Sequence, residues 1–219
     1  MAVDIYYTPG SAPCRVVLLV AAALDVQLNL KPIDMSKGEH LTPEFLKLNP
    51  QHTVPTIADG DFSLWESRAI SRYLVNKYGG KTDLYPSDPK ARAVVDQRLD
   101  FDLGTLYSAF ANYFYPQIFA GAPADEALLK KLQGALEFFN TFLEGKQYAA
   151  GDKLTLADLS LVATVSTIDA AAISLQDYPN VLRWFDLVKS TAPKYEEANG
   201  KGIEAFKGMV AFLKAKTEL

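Results

Sequence analysis

Four short stretches carry side chains whose types and spacing could do chemistry. Ser11 stands directly before an apolar run, in Tyr6-Tyr7-Thr8-Pro9-Gly10-Ser11-Ala12-Pro13-Cys14-Arg15. A hydroxyl at the start of a helix can donate its O–H to an anion, and the helix adds the positive end of its dipole. Taken alone, Ser11 reads first as an N-cap, the commoner fate of a serine in that position. In Trp65-Glu66-Ser67-Arg68-Ala69-Ile70, Glu66 can accept hydrogen bonds from an ammonium group, and Ser67 opens a helix whose N-terminus suits a carboxylate. Arg68 adds positive charge. The plain alternatives there are a capping serine and a solvated ion pair. The two histidines, His40 and His52, offer N–H groups that can bind a carboxylate. So far apart, and with one remote cysteine, they make a poor metal set, and no metal is expected.

The fourth stretch is aromatic. Tyr107, Phe110, Tyr113, Phe114, Tyr115 and Phe119 fall within thirteen positions, more than one core face requires. A helical aromatic stripe is usually core. Spacing of four nonetheless puts Tyr107, Tyr115 and Phe119 on one stripe with Phe110 beside it, so these four are assigned to a hydrophobic ligand site. Phe206, and Phe212 beyond it, are expected to close that site from the C-terminal end. A C-x-x-C redox pair would need cysteine where Ser11 stands. Without that thiolate disulfide exchange has no nucleophile, and Cys14 reads as a buried helix residue.

The elements that must position these groups differ between the two halves of the chain. Val3, Ile5 and Tyr7 alternate as a strand, as do Leu28 and Leu30. Between them a helix begins near Ser11, with Pro13 tolerated in its first turn. That helix is apolar on all sides, so it is expected to lie between a sheet and another layer. Val54 to Ala58 and Phe62 to Leu64 form a hairpin with Asp59-Gly60 as its turn, and a helix from Ser67 buries Ile70, Tyr73, Leu74 and Tyr78. The coarse order is βαβ, helix, ββα over residues 1–79. Residues 80–89, which follow Gly79, begin with Gly80 and carry Pro86 and Pro89 with little apolar content, read as a linker. Residues 90–219 read as all helical, with Leu132, Leu136, Phe139 and Leu143 on one face and Val181, Trp184, Phe185 and Val188 on another. Thr155 and Asp158 have the spacing of a capping box, with Leu154 and Leu159 as its hydrophobic staple.

Composition narrows the function classes. With 219 residues and 49% hydrophobic content the chain can bury a large core unaided. Its formal charge of −4, without a Lys/Arg run, argues against a nucleic-acid partner. The apolar run Val16 to Leu24 is too short to span a bilayer, so no membrane partner is expected. A single cysteine permits no intrachain disulfide, which points to a reducing compartment and the cytoplasm.

The order of these features resembles the cytosolic glutathione transferases. Four local sequences carry the likeness: Tyr6 to Arg15 is similar to the first strand and catalytic turn of the delta class, an arthropod group, and Asn49-Pro50-Gln51-His52-Thr53-Val54-Pro55-Thr56 to the family's glutathione loop. Trp65 to Ile70 is similar to its γ-glutamyl-binding turn, and the Thr155–Asp158 box to its folding cap. The resemblance implies a thioredoxin-like first domain, an all-α second domain and a homodimer. Glutathione would be the co-substrate and small hydrophobic electrophiles its partners, as in detoxification of xenobiotics.

Residue by residue, the resemblance implies that Ser11 donates to the glutathione sulfur, keeping it as a thiolate. Tyr7 is the competing donor, since related classes use a tyrosine near this strand. A cis Val54-Pro55 bond would let Val54 pair with the cysteinyl backbone of glutathione. Glu66, Ser67 and Arg68 would take the γ-glutamyl end, and His40 and His52 the glycine end. For His40, a surface-loop role is the plain alternative. Asp102 could be the partner of Arg68, near the family's dimer contact. Two other readings remain: a non-catalytic carrier of glutathione or hydrophobic ligands, which the fold also allows, and a glutathione-dependent disulfide reductase, disfavoured by Ser11.

Overall fold

The structure is a computed structural model and describes residues 2–217; the last two residues of the expected helical half lie outside the described residues. Strand β1 (Val3–Tyr7) leads into helix α1 (Ala12–Ala23) and on to β2 (Leu28–Pro32), which runs parallel to β1. A short helix α2 (Pro43–Leu48) precedes the antiparallel pair β3 (Thr56–Asp59) and β4 (Phe62–Trp65), and α3 (Ser67–Tyr78) follows. The sheet order is β2-β1-β3-β4, so the expected βαβ, helix, ββα sequence forms one mixed sheet of thioredoxin-like kind.

Local chemistry explains small departures from the expected bounds. β3 starts at Thr56 rather than Val54, because Pro55 has no N–H to give the ladder. Asp59 pairs with Phe62, so the turn residues are Gly60 and Asp61, one position later than expected, with Gly60 taking φ 67°. Leu30 is exposed, since β2 is an edge strand. Tyr73 and Tyr78 do not join the buried Ile70 and Leu74; they are half-buried, and with Lys77 they converge on Asp59 at 2.5 to 2.7 Å. Burial pushes that carboxyl up, but the three donors outweigh it and bring it down to about 2.

Beyond α3 the described chain is helical: α4 (Pro89–Phe101), α5 (Ser108–Ala120), α6 (Glu126–Phe142), α7 (Leu156–Ala170), α8 (Pro179–Thr191) and α9 (Lys201–Thr217). Two wide π-helical turns interrupt it, at Asp102–Tyr107 and Glu196–Gly200. Both expected apolar faces, Leu132 to Leu143 and Val181 to Val188, are buried. The centre of the molecule is α7, buried at every residue from Leu156 to Ile168 and touching α1, α3, α4, α8 and α9. The all-round apolar α1 is explained by this neighbour, since it packs on α3 and on α7.

The start of α7 is fixed by Asp158, whose carboxylate is fully buried. It accepts from Thr155 N at 2.9 Å, Thr155 Oγ1 at 2.9 Å, Ala149 N at 2.7 Å and Trp184 Nε1 at 2.8 Å. Burial pushes this carboxyl up from its usual range, and the four donors pull against that. A capping box is worth about 1 kcal/mol on a surface helix, but here four buried donors would be orphaned. Asp158→Ala is therefore expected to cost about 3 kcal/mol or more. A clearly lowered melting temperature, with unchanged affinity of the folded fraction for glutathione, the ligand the resemblance implies, is the outcome to look for.

Candidate active site

The sheet register brings the chemical segments together. Tyr6 pairs with Thr56, and Thr56 pairs with Trp65, so the end of β1, the start of β3 and the end of β4 lie level. Ser11 leaves the sheet after β1, Val54-Pro55 enters it before β3, and Glu66-Ser67 leaves it after β4. All three therefore meet at one sheet end. Beside them, Ile33 N–H donates to Tyr7 O at 2.9 Å and carries the chain from β2 toward His40.

Ser11 is the N-cap of α1, with extended backbone (φ −71°, ψ 122°), and its Oγ accepts the Cys14 N–H at 3.4 Å. The cap occupies one oxygen lone pair and leaves the hydroxyl hydrogen to donate elsewhere. Capping and anion binding are thus compatible in one residue. Tyr7 is half-buried at the end of the strand. Cys14 is fully buried, and burial pushes its thiol up to about 11.

The loop before β3 is built around the buried Asn49. Its Nδ2 donates to Thr53 O at 3.0 Å, Thr53 Oγ1 at 3.0 Å and Thr56 Oγ1 at 2.9 Å, while its Oδ1 accepts Gln51 N–H at 2.8 Å. Asn49 carries no chemistry that marks it out in the sequence. An Asn-Pro with threonines four and seven residues on is a usable signal for it. Val54-Pro55 is cis, and neither Val54 N–H nor C=O has a backbone partner among the described residues. His52 is exposed with φ 47°, and its ring lies 6.1 Å from that of His40. His40 is half-buried, and its Nδ1 is buried without a partner. Two histidines twelve residues apart in sequence thus become neighbours. Among the described residues, no three His, Cys, Asp or Glu side chains are arranged to hold a metal ion.

After β4, Glu66 is exposed at φ 69°, a left-handed conformation costly for a residue with a Cβ. Ser67 and Arg68 are buried. Arg68 Nη1 donates to Ser67 Oγ at 2.9 Å, and Nη2 to Asp102 Oδ2 at 2.5 Å. Asp102 is fully buried and also accepts from Ser160 Oγ at 2.5 Å and Thr164 Oγ1 at 2.7 Å. Through Asp102, the first turn of α3 is tied to α7. The sequence had pointed to Asp102 but not to Ser160 or Thr164, whose small hydroxyls carry no distinctive pattern.

The aromatic stretch divides otherwise than expected. Tyr107 and Tyr115 are half-buried, with hydroxyls 3.5 Å apart, and the Arg68 guanidinium lies 5.8 Å from the Tyr107 ring centre. Burial pushes both tyrosines up, so both keep their protons at neutral pH. Phe119 is 62% exposed near the end of α5. Phe110, by contrast, is fully buried and stacked on Phe114 at 5.2 Å, so it offers a ligand no surface here. Phe206 is also core: its ring lies 5.9 Å from Phe114, and Gly10 sits against its backbone. Both were expected to line the ligand site. Core packing claims them because each meets aromatic neighbours on a buried face, which spacing alone does not reveal. Phe212, expected to help close the site, is exposed.

A mixed sheet with anion-suited helix starts at one end, backed by a helical half carrying tyrosines, defines a class. The chain matches the glutathione S-transferase N-terminal domain over residues 1–76 and the glutathione S-transferase C-terminal domain over residues 96–191. It belongs to the glutathione S-transferase family and functions as a glutathione transferase, with glutathione as co-substrate. A delta-class glutathione transferase of Nilaparvata lugens is 54% identical, with a TM-score of 0.95 over 96% of this chain and 99% of that one. A Bombyx mori glutathione transferase is 42% identical, with a TM-score of 0.93 over 95% and 98%. An epsilon-class enzyme of the housefly, Musca domestica, is 37% identical, with a TM-score of 0.89 over 98% of each. Within the family, the chain resembles the delta class.

Removing one partner of a buried ion pair strands the other charge, which costs about 3–5 kcal/mol. Asp102→Ala is accordingly expected to lower the melting temperature and, by freeing Arg68, to raise KM for glutathione severalfold. Steady-state kinetics at fixed electrophile checks this.

Proposed function

We propose that Ser11 supports catalysis by donating its O–H to the glutathione sulfur, so that the sulfur is bound as thiolate. The observation that carries this reading is the N-cap geometry: Ser11 Oγ accepts the Cys14 N–H, leaving its own hydrogen for an anion at the mouth of α1. A free thiol of pKa about 8.5 is mostly protonated at neutral pH, and only the thiolate is a good nucleophile. Each unit of depression needs about 1.4 kcal/mol, so one charge-assisted bond with a helix dipole accounts for roughly one to two units. The thiolate then attacks an electrophilic carbon, a C–S bond forms, and the leaving group departs with its electron pair.

In this reading Val54 pairs with the cysteinyl backbone, its free N–H and C=O serving as the edge of an added strand beside Pro55. Ser67 and Glu66 receive the γ-glutamyl end, Arg68 supports them, and His40 and His52 receive the glycine carboxylate. The orphaned His40 Nδ1 supports that assignment. Tyr107, Tyr115 and Phe119 line the electrophile side. Residues 1–79 form the glutathione domain, 80–89 the linker and 90–219 the electrophile domain, in a cytoplasmic homodimer. Among the described residues no helix is long and apolar enough to cross a membrane.

The non-catalytic carrier differs in one measurable respect. Retention on a glutathione column together with turnover of a chlorinated nitrobenzene is expected, and retention without turnover would favour the carrier. Ser11→Ala should lower turnover at least about tenfold with the fold intact, and Tyr7→Phe should do less. The opposite ranking would transfer the role to Tyr7.

A further inference from the structure

Three arginines are buried among the described residues, Arg15, Arg68 and Arg98, and of these only Arg68 is ion-paired, with Asp102. Arg98 donates to Ala149 O and Gln97 Oε1, far from Ser11 in the chain. Arg15 is 0% exposed, and among the described residues no carboxylate lies within ion-pair distance of it. It sits one turn along α1 from Ser11, whose carbonyl accepts the Arg15 N–H at 3.0 Å. Its Nη1 donates to Ser166 Oγ at 3.1 Å and Asn199 Oδ1 at 2.5 Å, and its Nη2 to Thr167 Oγ1. Nε is buried with no partner.

All three acceptors are neutral, so they orient the guanidinium without cancelling its charge. The titratable groups facing it are the hydroxyls of Tyr195, Tyr115 and Tyr107 and the Cys14 thiol, each protonated at neutral pH. Burial pushes Arg15 down to about 10, which leaves it charged. A tie from α1 to α7 needs no cation, since a neutral amide can donate to the Ser166 and Thr167 hydroxyls. A lone buried charge is expensive to keep. Room is also reserved for its stem, because a Cβ at Gly202 would run into Arg15 Cδ.

We propose that Arg15 is an electrostatic positioning residue: its unneutralised charge behind Ser11 lowers the pKa of the glutathione sulfur bound there, and the thiolate is its counter-charge. This rests on the Ser11 reading above. With a separation on the order of 6–10 Å and an effective dielectric of about 20–40, the charge is worth roughly one pKa unit to the sulfur.

Asn199→Asp tests this without touching Arg15, by placing a carboxylate against Nη1. The thiol of the enzyme–glutathione complex is titrated by ultraviolet thiolate absorbance, and affinity for S-methylglutathione, which has no ionisable sulfur, is measured in parallel. The substitution is expected to raise the bound-thiol pKa by about one unit and to lower kcat/KM below that pKa roughly five- to tenfold. Affinity for S-methylglutathione should change less than about twofold, since no thiolate forms. If Asn199→Asp does not fold, Arg15→Met must raise the pKa while Arg15→Lys, which keeps the charge, leaves it low. An unmoved pKa in Asn199→Asp, or equal shifts in Arg15→Met and Arg15→Lys, would overturn the proposal and leave Arg15 a packing tie. A thiol already unshifted in the unsubstituted enzyme would instead sink the Ser11 reading, and it is seen before any Arg15 comparison is made.

Discussion

The level pairing of Tyr6, Thr56 and Trp65 is the constraint on which the site depends. Three chain segments cross the sheet and turn at the same end only because β3 and β4 run opposite to each other in this register. A slip of one residue in either pair would exchange inward and outward side chains along the strand. It would also separate the loop at Val54 from the helix starts at Ser11 and Ser67. The buried Ile5, Ile57 and Val3 hold that register, so the apolar face of a small sheet sets the geometry of a polar cleft.

Three ionisable groups that belong in water are instead gathered along α7. Asp158 fixes its start, Ser160 and Thr164 hold Asp102, and Ser166 and Thr167 hold Arg15. A helix buried on all sides would normally be purely apolar. Here its small hydroxyls receive Arg15 of the first half directly and Arg68 through Asp102. The two halves are therefore joined by directional polar contacts as well as by packing, and the starts of α3 and α1 are both held from the same central element.

The coarse architecture was legible because its signals are local. Strand alternation in Val3, Ile5 and Tyr7, the capping box at Thr155 and Asp158, and the stripe through Leu132 and Phe139 each depend on neighbours a few residues away. The family likeness added the roles of Ser11, Val54, Glu66 and Ser67, which no periodicity could supply. What escaped depends on distant contacts. Asn49 looks like any loop amide until Thr53 and Thr56 fold over it. Arg15 stands in an apolar run with nothing nearby to mark it as buried and charged. Phe206 shares the residue type of Phe119 but reaches Phe114 from another helix, Phe110 is buried on the same face of α5 as Phe114, and the π-helical turn at Asp102–Tyr107 leaves no mark in hydrophobic spacing.

The chain's one sulfhydryl belongs to a residue in the first turn of α1, sealed from solvent and reluctant to ionise. A glutathione transferase thereby presents a reactive carbon centre with no competing thiol of its own. Alkylation at cysteine, the hazard built into handling such compounds, has no exposed target, and the tripeptide's sulfur is left as the thiol the reagent encounters.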